Sequence, residues 1–196
     1  MLFKGVESFV LIISYLIGSI PSGFLLGKFL GGIDLRKKGS HNIGATNSWR
    51  VMGRAIGITT LVLDLFKGGI VVIIATHFTE NFSVLAGCTS VIGHIFPVWL
   101  KFKGGKGVAT FFGVMWALNP IIAPSTAALW YVMFKVSHTS SVSSLITSVF
   151  FSSYLAIFSL QGIDVTILLI IQVIIICRHH SNIARLLRGH KDSFRP

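Results

Sequence analysis

The stretch IGITTLVLDLFKGGIVVIIATHF, residues Ile56 to Phe78, decides the fold class of this chain. A helix needs about 20 mostly apolar residues to cross the hydrocarbon core of a bilayer, and this run supplies them with only two charged side chains, Asp64 and Lys67. Inside lipid the backbone must satisfy its own hydrogen bonds, so it forms a helix or a closed barrel. Because the apolar residues are continuous rather than alternating, the run predicts a transmembrane helix.

Similar apolar runs fill most of the remaining sequence. The seven runs are Val6 to Leu30, Ile56 to Phe78, Phe82 to Leu100, Val108 to Leu118, Ile121 to Phe134, Val142 to Leu160, and Val165 to Cys177. The whole chain of 196 residues is 53% hydrophobic and 12% charged, with a mean hydropathy of +0.79. This composition excludes an ordinary water-soluble globule and predicts an all-α integral membrane protein with its chemistry in short loops.

The basic residues predict the topology. The two runs flanking Asn119 and Pro120 are short, so they form either two helices or one kinked helix. With two helices, nearly all basic loop residues fall on one side of the membrane, whereas one kinked helix would divide them almost equally. The positive-inside rule therefore favours a seven-helix polytopic bundle with some short spans, its N-terminus outside and its C-terminus cytoplasmic. The net charge of +11 is distributed between spans, which does not favour nucleic-acid binding.

Under this topology, three polar segments face the same side. The first is GSHNIGATN, Gly39 to Asn47, followed by Arg50. Small residues let backbone N–H groups turn toward an anion, and Ser, Thr and Asn add neutral hydrogen bonds. The segment is equally consistent with a phosphate cradle and with a solvated turn that caps the next helix.

The second segment joins Gly93 to Pro97 with KFKGGKGVAT, Lys101 to Thr110. A Gly-Gly-Lys-Gly turn before a helix can surround a phosphate with amides, a helix N-terminus and an ammonium group. It is not a Walker A loop, because position 100 is Leu and Lys106 is followed by Gly. We interpret Lys101 and Lys103 as positive-inside anchors and Lys106 as a phosphate ligand. For His94 we expect a hydrogen bond to a loop, with an orienting role as the second interpretation.

The third segment is the tail RHHSNIARLLRG, Arg178 to Gly189. On a continuing helix, His179, Asn182 and Leu186 share one face. The segment is interpreted either as an interfacial amphipathic helix or as a basic juxtamembrane tail attracted to anionic lipid.

Polar residues also lie inside the apolar runs. Asp64 and Lys67 are three residues apart, which predicts a buried ion pair. The sequence Gly18 to Gly23 interrupts the first run, either to pack small residues or to open the backbone toward a site. Cys88 and Cys177 do not form a disulfide or metal-ligand pattern.

The combination of cations, glycines and amides at one membrane face suits one or two phosphate-bearing ligands, with an apolar bundle beside them for an acyl chain. No serine-hydrolase elbow, catalytic triad order or zinc-hydrolase motif is present. An organic-phosphate transporter and a non-catalytic lipid-binding protein remain alternatives to an enzyme.

Four segments together resemble the bacterial acyl-phosphate:glycerol-3-phosphate acyltransferase family, PlsY. They are Gly18 to Gly23, Gly39 to Asn47, Gly93 to Thr110, and Arg178 to Leu187, and their order and spacing extend over nearly the whole chain. The chain departs from the family at His41, where the family usually has Gly. Histidine tolerates a positive φ less readily than Gly.

The resemblance implies a multi-pass enzyme of the bacterial cytoplasmic (inner) membrane, with one transmembrane acyltransferase domain over residues 1–196. It implies transfer of a fatty acyl group from acyl phosphate to the 1-hydroxyl of glycerol 3-phosphate, giving lysophosphatidic acid and phosphate for phospholipid biosynthesis. No acyl-enzyme, cofactor or metal is implied, and acyl-CoA and acyl carrier protein are not direct donors. The soluble enzyme PlsX would supply the acyl phosphate.

The resemblance also implies residue roles: glycerol 3-phosphate would be held by Ser40, Arg50, Lys106, His179 and Asn182, and the donor phosphate by the glycine-rich loops. The candidate catalytic residues are Lys106 and His179. The candidate substrate-binding residues are Ser40, Asn42, Thr46, Asn47, Arg50, His94, Gly104, Gly105, Gly107 and Asn182. Acyl phosphate already carries a good leaving group, so orientation and charge stabilisation can replace a strong nucleophile. The donor phosphate is expected to accept the hydroxyl proton, and His179 or His94 is the candidate if a side-chain base exists.

Overall fold

A computed structural model describes residues 2–78 and 82–189, and within these ranges the regular structure is entirely helical. The α-helices are α1 (Leu2–Ser19), α2 (Ser22–Gly31), α3 (Ala45–Met52), α4 (Arg54–Phe78), α5 (Ser83–Ile95), α6 (Val108–Leu118), α7 (Ile122–Ser137), α8 (Ser140–Phe158), α9 (Ile163–Arg178) and α10 (His180–Leu187). Short 3₁₀ turns cover Leu35–Lys37 and Val98–Leu100. Lys191 and Arg195, two of the basic residues on which the topology prediction depends, lie outside the described residues.

Within the described residues, three segments are long and apolar enough to cross a membrane: Arg54–Phe78, Ser83–Leu100 and Ser140–Phe158. Two bent pairs, α1 with α2 and α9 with α10, would raise the number to five if each pair is one span. Helix α6 has 11 residues, too few to cross about 30 Å at 1.5 Å per residue. The all-α membrane class is therefore supported, while the count of seven spans and the orientation of the termini stay predictions.

The helices fall into two compact units, residues 1–118 and 119–196. In the first unit, α4 packs against α6 and α1 against α5. The backbones approach closely because glycines lie at the crossings: a methyl group on Gly68 would overlap the carbonyl of Thr110, and one on Gly113 would overlap that of Leu65. Such small-residue contacts are the usual means of helix association in membranes. Organisation as a single domain stays a prediction.

The first apolar run is broken where the sequence predicts an interruption. Helices α1 and α2 meet at a 40° bend, because Pro21 has no N–H group to continue the helix. Gly18 packs directly against the backbone of Ser90 on α5, and the carbonyl of Ile20 accepts a hydrogen bond from Lys67 Nζ at 2.8 Å. The break therefore both packs small residues and opens the backbone.

The second unit contains a buried hydrogen-bonded clamp between α8 and α9. Gln172 Nε2 donates to Ser148 Oγ at 3.1 Å, and Ser152 Oγ donates to Gln172 Oε1 at 3.0 Å. Interhelical hydrogen bonds of this kind supply part of the attraction that apolar residues do not provide inside lipid. The clamp fixes the axial position of α9, whose C-terminal end carries the third polar segment.

The exposed loop after α2 gives a pH-dependent prediction. The Arg36 guanidinium donates two hydrogen bonds to the Asp34 carboxylate, and lowers the pKa of Asp34 from 3.8 to about 2. Because the folded pKa is the lower one, this stabilisation is present above pH 3.8 and is lost as pH falls toward 2. Solvent screening limits it to at most about 1 kcal/mol. We expect Asp34→Asn to lower the unfolding midpoint slightly at pH 5, with the difference from wild type disappearing near pH 2; a constant difference across this range would contradict the assignment.

Candidate functional site

The first polar segment is organised around the side chain of Asn47. Its Oδ1 accepts from the Ser40 N–H at 2.8 Å. Its Nδ2 lies within hydrogen-bond distance of three backbone carbonyls, those of Leu35, Lys38 and Asn42, at 3.1, 3.1 and 2.7 Å. Asn47 is only 1% exposed. It therefore holds the loop in shape from within, and a direct contact of Asn47 with substrate stays a prediction.

Asn42 also has a local structural bond. Its Oδ1 accepts from the Gly44 N–H at 2.8 Å, which forms the turn that leads into α3. Helix α3 was not expected from the sequence, and it begins at Ala45, immediately before Thr46. Arg50 is exposed one turn later, whereas Ser40, Asn42 and Thr46 are half-buried. The loop thus presents Ser40, Thr46 and Arg50 from a scaffold built by the two asparagines.

His41 adopts the conformation for which the family usually has Gly. Its φ is +59°, a left-handed region that costs a non-glycine residue some free energy. Its ring Nδ1 lies 3.0 Å from the carbonyl oxygen of Arg36, to which it donates. The substitution therefore keeps the turn, and the ring adds a hydrogen bond that offsets part of the backbone strain.

We predict that Asn47→Asp destabilises the first unit. An aspartate places an acceptor where Asn47 Nδ2 donates to backbone carbonyls. Each buried carbonyl that loses its donor costs about 1 to 3 kcal/mol. We therefore expect a loss of about 2 to 4 kcal/mol in the free energy of unfolding. The thermal unfolding midpoint in detergent measures it. Ser48→Ala, which removes one hydrogen bond to Gly44 at 3.2 Å, is the control and is expected to cost about 1 kcal/mol or less. Equal midpoints for the two variants would contradict the role given to Asn47.

The glycines of the second segment are docked on the end of α5. The N–H of Gly104 donates to the carbonyl of Ile95 at 3.2 Å, and that of Gly105 to the carbonyl of His94 at 3.1 Å. A methyl group on Gly104 would overlap the His94 carbonyl and Pro97, and one on Gly105 would overlap His94 Nε2. These two N–H groups thus donate to protein carbonyls, and a phosphate contact by the two glycines stays a prediction. The two glycines are needed because the chain passes so close to α5.

The groups of this segment that could bind an anion lie further along it. Gly107 has a φ of +89° and turns the chain into α6, whose first-turn N–H groups have no partner within the helix. Lys106 immediately precedes this turn and is half-buried, whereas Lys101 and Lys103 are exposed. A helix N-terminus next to an ammonium group is a favourable place for a phosphate.

The predicted contact between Asp64 and Lys67 is confirmed, at 2.8 Å from Nζ to Oδ1. His94, from α5, lies beside this pair with its Nδ1 3.6 Å from Asp64 Oδ1. His94 is therefore buried against α4 and the glycine segment. Tyr15, which no sequence motif marks, also supports this region: its hydroxyl donates to the Phe96 carbonyl at 2.7 Å and fixes the end of α5.

In the second unit, the tail does not continue α9 as one helix. The axis bends by 52° at His179, and α10 begins at His180. His179 and Asn182 nevertheless both lie on the buried side, 2% and 6% exposed. The Asn182 N–H donates to the His179 carbonyl at 2.9 Å in the first turn of α10. His179 Nδ1 lies 2.8 Å from the carbonyl oxygen of Ile175. A carbonyl can only accept, so Nδ1 carries the hydrogen, and in the neutral ring Nε2 is an acceptor.

Helices α8 and α9 also line an open apolar groove of about 700 Å³. It is lined by Leu145, Ile146, Val149, Phe150, Ser153, Tyr154, Ile157, Phe158 and Ile176. Such a surface suits a hydrocarbon chain. Within residues 2–78 and 82–189, no three His, Cys, Asp or Glu side chains are grouped as a metal site would require.

The structure therefore groups the candidate residues into three clusters. Ser40, Asn42 and Asn47 are joined by hydrogen bonds, His94 contacts Gly104 and Gly105, and His179 contacts Asn182. Each cluster contains at least one buried polar side chain: Asn47 in the first, His94 in the second, and His179 and Asn182 in the third. Convergence of the three on one pocket stays a prediction.

The chain matches one protein family over most of its length. The sequence profile of the family described as Glycerol-3-phosphate acyltransferase matches residues 8–189. The glycerol-3-phosphate acyltransferases of Staphylococcus aureus strains JH9 and USA300 are each 38% identical over 201 residues, covering 95% of this chain and 96% of the relative.

Two solved structures are also similar. A crystal structure of PlsY (YgiH), an integral membrane glycerol 3-phosphate acyltransferase in its glycerol 3-phosphate form, superposes with a TM-score of 0.92 at 36% identity, covering 97% of this chain and 96% of the other. The lysophosphatidic acid form of PlsY gives a TM-score of 0.88 at 34% identity, covering 96% and 95%.

Proposed function

Because this chain belongs to the glycerol-3-phosphate acyltransferase family, we propose that it transfers a fatty acyl group from acyl phosphate to the 1-hydroxyl of glycerol 3-phosphate. The products are lysophosphatidic acid and inorganic phosphate. The observation that carries the acceptor assignment is the match, over 97% of the chain, to a relative described in its glycerol 3-phosphate form. The proposal of acyl phosphate as donor depends on the four-segment resemblance and on the chemistry of the polar segments.

In the proposed reaction, the 1-hydroxyl oxygen of glycerol 3-phosphate attacks the carbonyl carbon of the acyl phosphate. A new ester bond forms, the bond between the acyl carbon and the phosphate oxygen breaks, and phosphate leaves. The proton of the hydroxyl goes to the departing phosphate, so the step needs no side-chain base. Because the hydroxyl oxygen attacks the acyl carbon directly, no acyl-enzyme forms. Orientation of the two substrates and stabilisation of the negative charge then supply most of the rate enhancement.

We assign a role to each candidate residue from its charge, burial and hydrogen bonds. Lys106 and the N-terminus of α6 would stabilise the negative charge of the departing donor phosphate, and so would act in the transition state. Arg50, Ser40 and Asn182 would hold the acceptor phosphate. His179, with Nδ1 bonded to the Ile175 carbonyl, would offer Nε2 as the acceptor of a hydrogen bond from the substrate hydroxyl. This hydrogen bond would orient the nucleophile, while the proton itself goes to the departing phosphate.

We further propose that the enzyme is a multi-pass protein of the bacterial inner membrane, with the polar segments at the cytoplasmic face. This orientation would give the site access to water-soluble glycerol 3-phosphate and to acyl phosphate made by the soluble enzyme PlsX. Arg185 of α10 and the flanking Arg178 and Arg188, together with the bend of α10 relative to α9, support attachment of this segment to an anionic leaflet.

One assay tests the proposal. Purified protein in detergent receives acyl phosphate and glycerol 3-phosphate, and lysophosphatidic acid and phosphate are measured. We expect equal amounts of the two products, none without glycerol 3-phosphate, and none when acyl-CoA replaces acyl phosphate. An organic-phosphate transporter would show no chemistry without a sealed compartment, so product formation in detergent separates the two functions. Product made from acyl-CoA alone would refute the assigned donor.

A further inference from the structure

The most unusual buried feature of the first unit is the ion pair between α4 residues Asp64 and Lys67. Their side chains are 2% and 6% exposed, in the middle of a mostly apolar helix. The free-energy cost of removing two charges from a polar solvent is often larger than the gain from their mutual attraction. A buried ion pair is therefore weak evidence for stability. Charged residues inside membrane helices are accordingly a sign of function.

The neighbours of the pair connect it to the second polar segment. Asp64 Oδ1 lies 3.6 Å from His94 Nδ1, longer than a hydrogen bond but close enough for the carboxylate charge to act on the ring. The opposite ring nitrogen, Nε2, faces Gly105 so closely that a methyl group there would overlap it. The His94 carbonyl also accepts from the Gly105 N–H at 3.1 Å. His94 thus lies between the carboxylate and the residue that precedes Lys106.

Lys67 extends the same connection in the other direction. Its Nζ bonds to the Ile20 carbonyl at 2.8 Å, at the bend where Pro21 interrupts the first run. One ammonium group therefore balances the Asp64 charge and ties it to the break between α1 and α2. The contacts run without a gap from this break, through Lys67, Asp64 and His94, to Gly105.

From these contacts we infer that Asp64 and Lys67 are positioning residues for acyl transfer. The carboxylate orients the His94 ring and favours the hydrogen on Nδ1, as outer-shell carboxylates do for histidines in other sites. The fixed ring then supports the glycine segment and with it the position of Lys106. The inference depends on the proposed function, because its effect is exerted on Lys106.

The test removes both charges together. In Asp64→Asn/Lys67→Met neither partner leaves an unpaired buried charge, whereas each single variant does and is expected to be much less stable. We expect the double variant to regain a thermal unfolding midpoint close to that of wild type. Its kcat for lysophosphatidic acid formation should stay about 10- to 100-fold below wild type, the range seen when outer-shell partners are removed, with KM for glycerol 3-phosphate within about threefold.

The matched control is Phe66→Leu, on the same turn of α4 but 61% exposed; we expect its kcat and midpoint to equal those of wild type. If the Asn/Met variant folds poorly, Asp64→Leu/Lys67→Leu replaces it, because apolar pairs often restore stability at such positions. A stable double variant with wild-type kcat overturns the inference. A wild-type protein that makes no lysophosphatidic acid from acyl phosphate instead overturns the proposed function on which it depends.

Discussion

Replacement of Lys106 by Met is expected to lower kcat/KM for acyl transfer by about 30- to 5,000-fold, which corresponds to a loss of roughly 2 to 5 kcal/mol when a charged partner is left unpaired. The reason is the position of the ammonium group. It is half-buried beside the turn into α6, where the helix N-terminus adds to its effect on a phosphate. Methionine keeps the length and apolar stem of the side chain, so the change removes mainly the charge.

Lys103→Met is the matched control for this prediction. Lys103 belongs to the same loop and carries the same charge, but it is exposed, and its loss should change kcat/KM by less than about threefold because exposed charges interact weakly. Steady-state rates with both substrates varied separate the two variants, and unfolding midpoints show whether each is folded. If both lysines had the same effect, only the general positive charge of the loop would matter, and the specific role of Lys106 would be wrong.

The helices themselves could be predicted from the sequence because lipid leaves the backbone little choice. Helix α6 has the bounds of its apolar run, Val108 to Leu118, and the interruption before Pro21 is present. The Asp64–Lys67 contact was also predictable, since residues three apart on a helix are neighbours. These features depend on local sequence or on helix periodicity alone.

The supporting roles within the site could not be predicted in the same way. Asn47 has the composition of a substrate ligand, but four backbone groups distant by up to 12 positions converge on its amide. The Gly104 and Gly105 amides have the composition of a phosphate cradle, but they bond to carbonyls at the end of α5. In both cases a tertiary contact decides whether a polar group faces a ligand or the protein. A sequence pattern gives the available hydrogen-bonding groups and not their partners.

A second large effect is expected from Gly104→Ala. The added methyl group would overlap the His94 carbonyl and the Pro97 ring, and Ile95 O would lie 2.8 Å from it. Two of these three neighbours are backbone atoms, which cannot rotate aside as a side chain can, so the loop must move away from α5. A displacement of about 1 Å at a catalytic group can cost about 100-fold in rate. We therefore expect kcat to fall by roughly 100-fold, because Lys106 moves with the loop.

Gly5→Ala is the control, since among the described residues no atom beyond the adjoining backbone of α1 lies within 4 Å of a methyl group at that position. We expect wild-type kcat and an unchanged or slightly higher unfolding midpoint. In Gly104→Ala the overlap also weakens the hydrogen bond from the Gly104 N–H to the Ile95 carbonyl. We therefore also expect the free energy of unfolding to fall by about 1 to 3 kcal/mol, with a lower unfolding midpoint. Comparing the loss of kcat with the loss of stability in Gly104→Ala distinguishes two roles of the loop. Lost stability with normal kcat would mean that the loop can move without moving Lys106, and that docking on α5 serves folding alone.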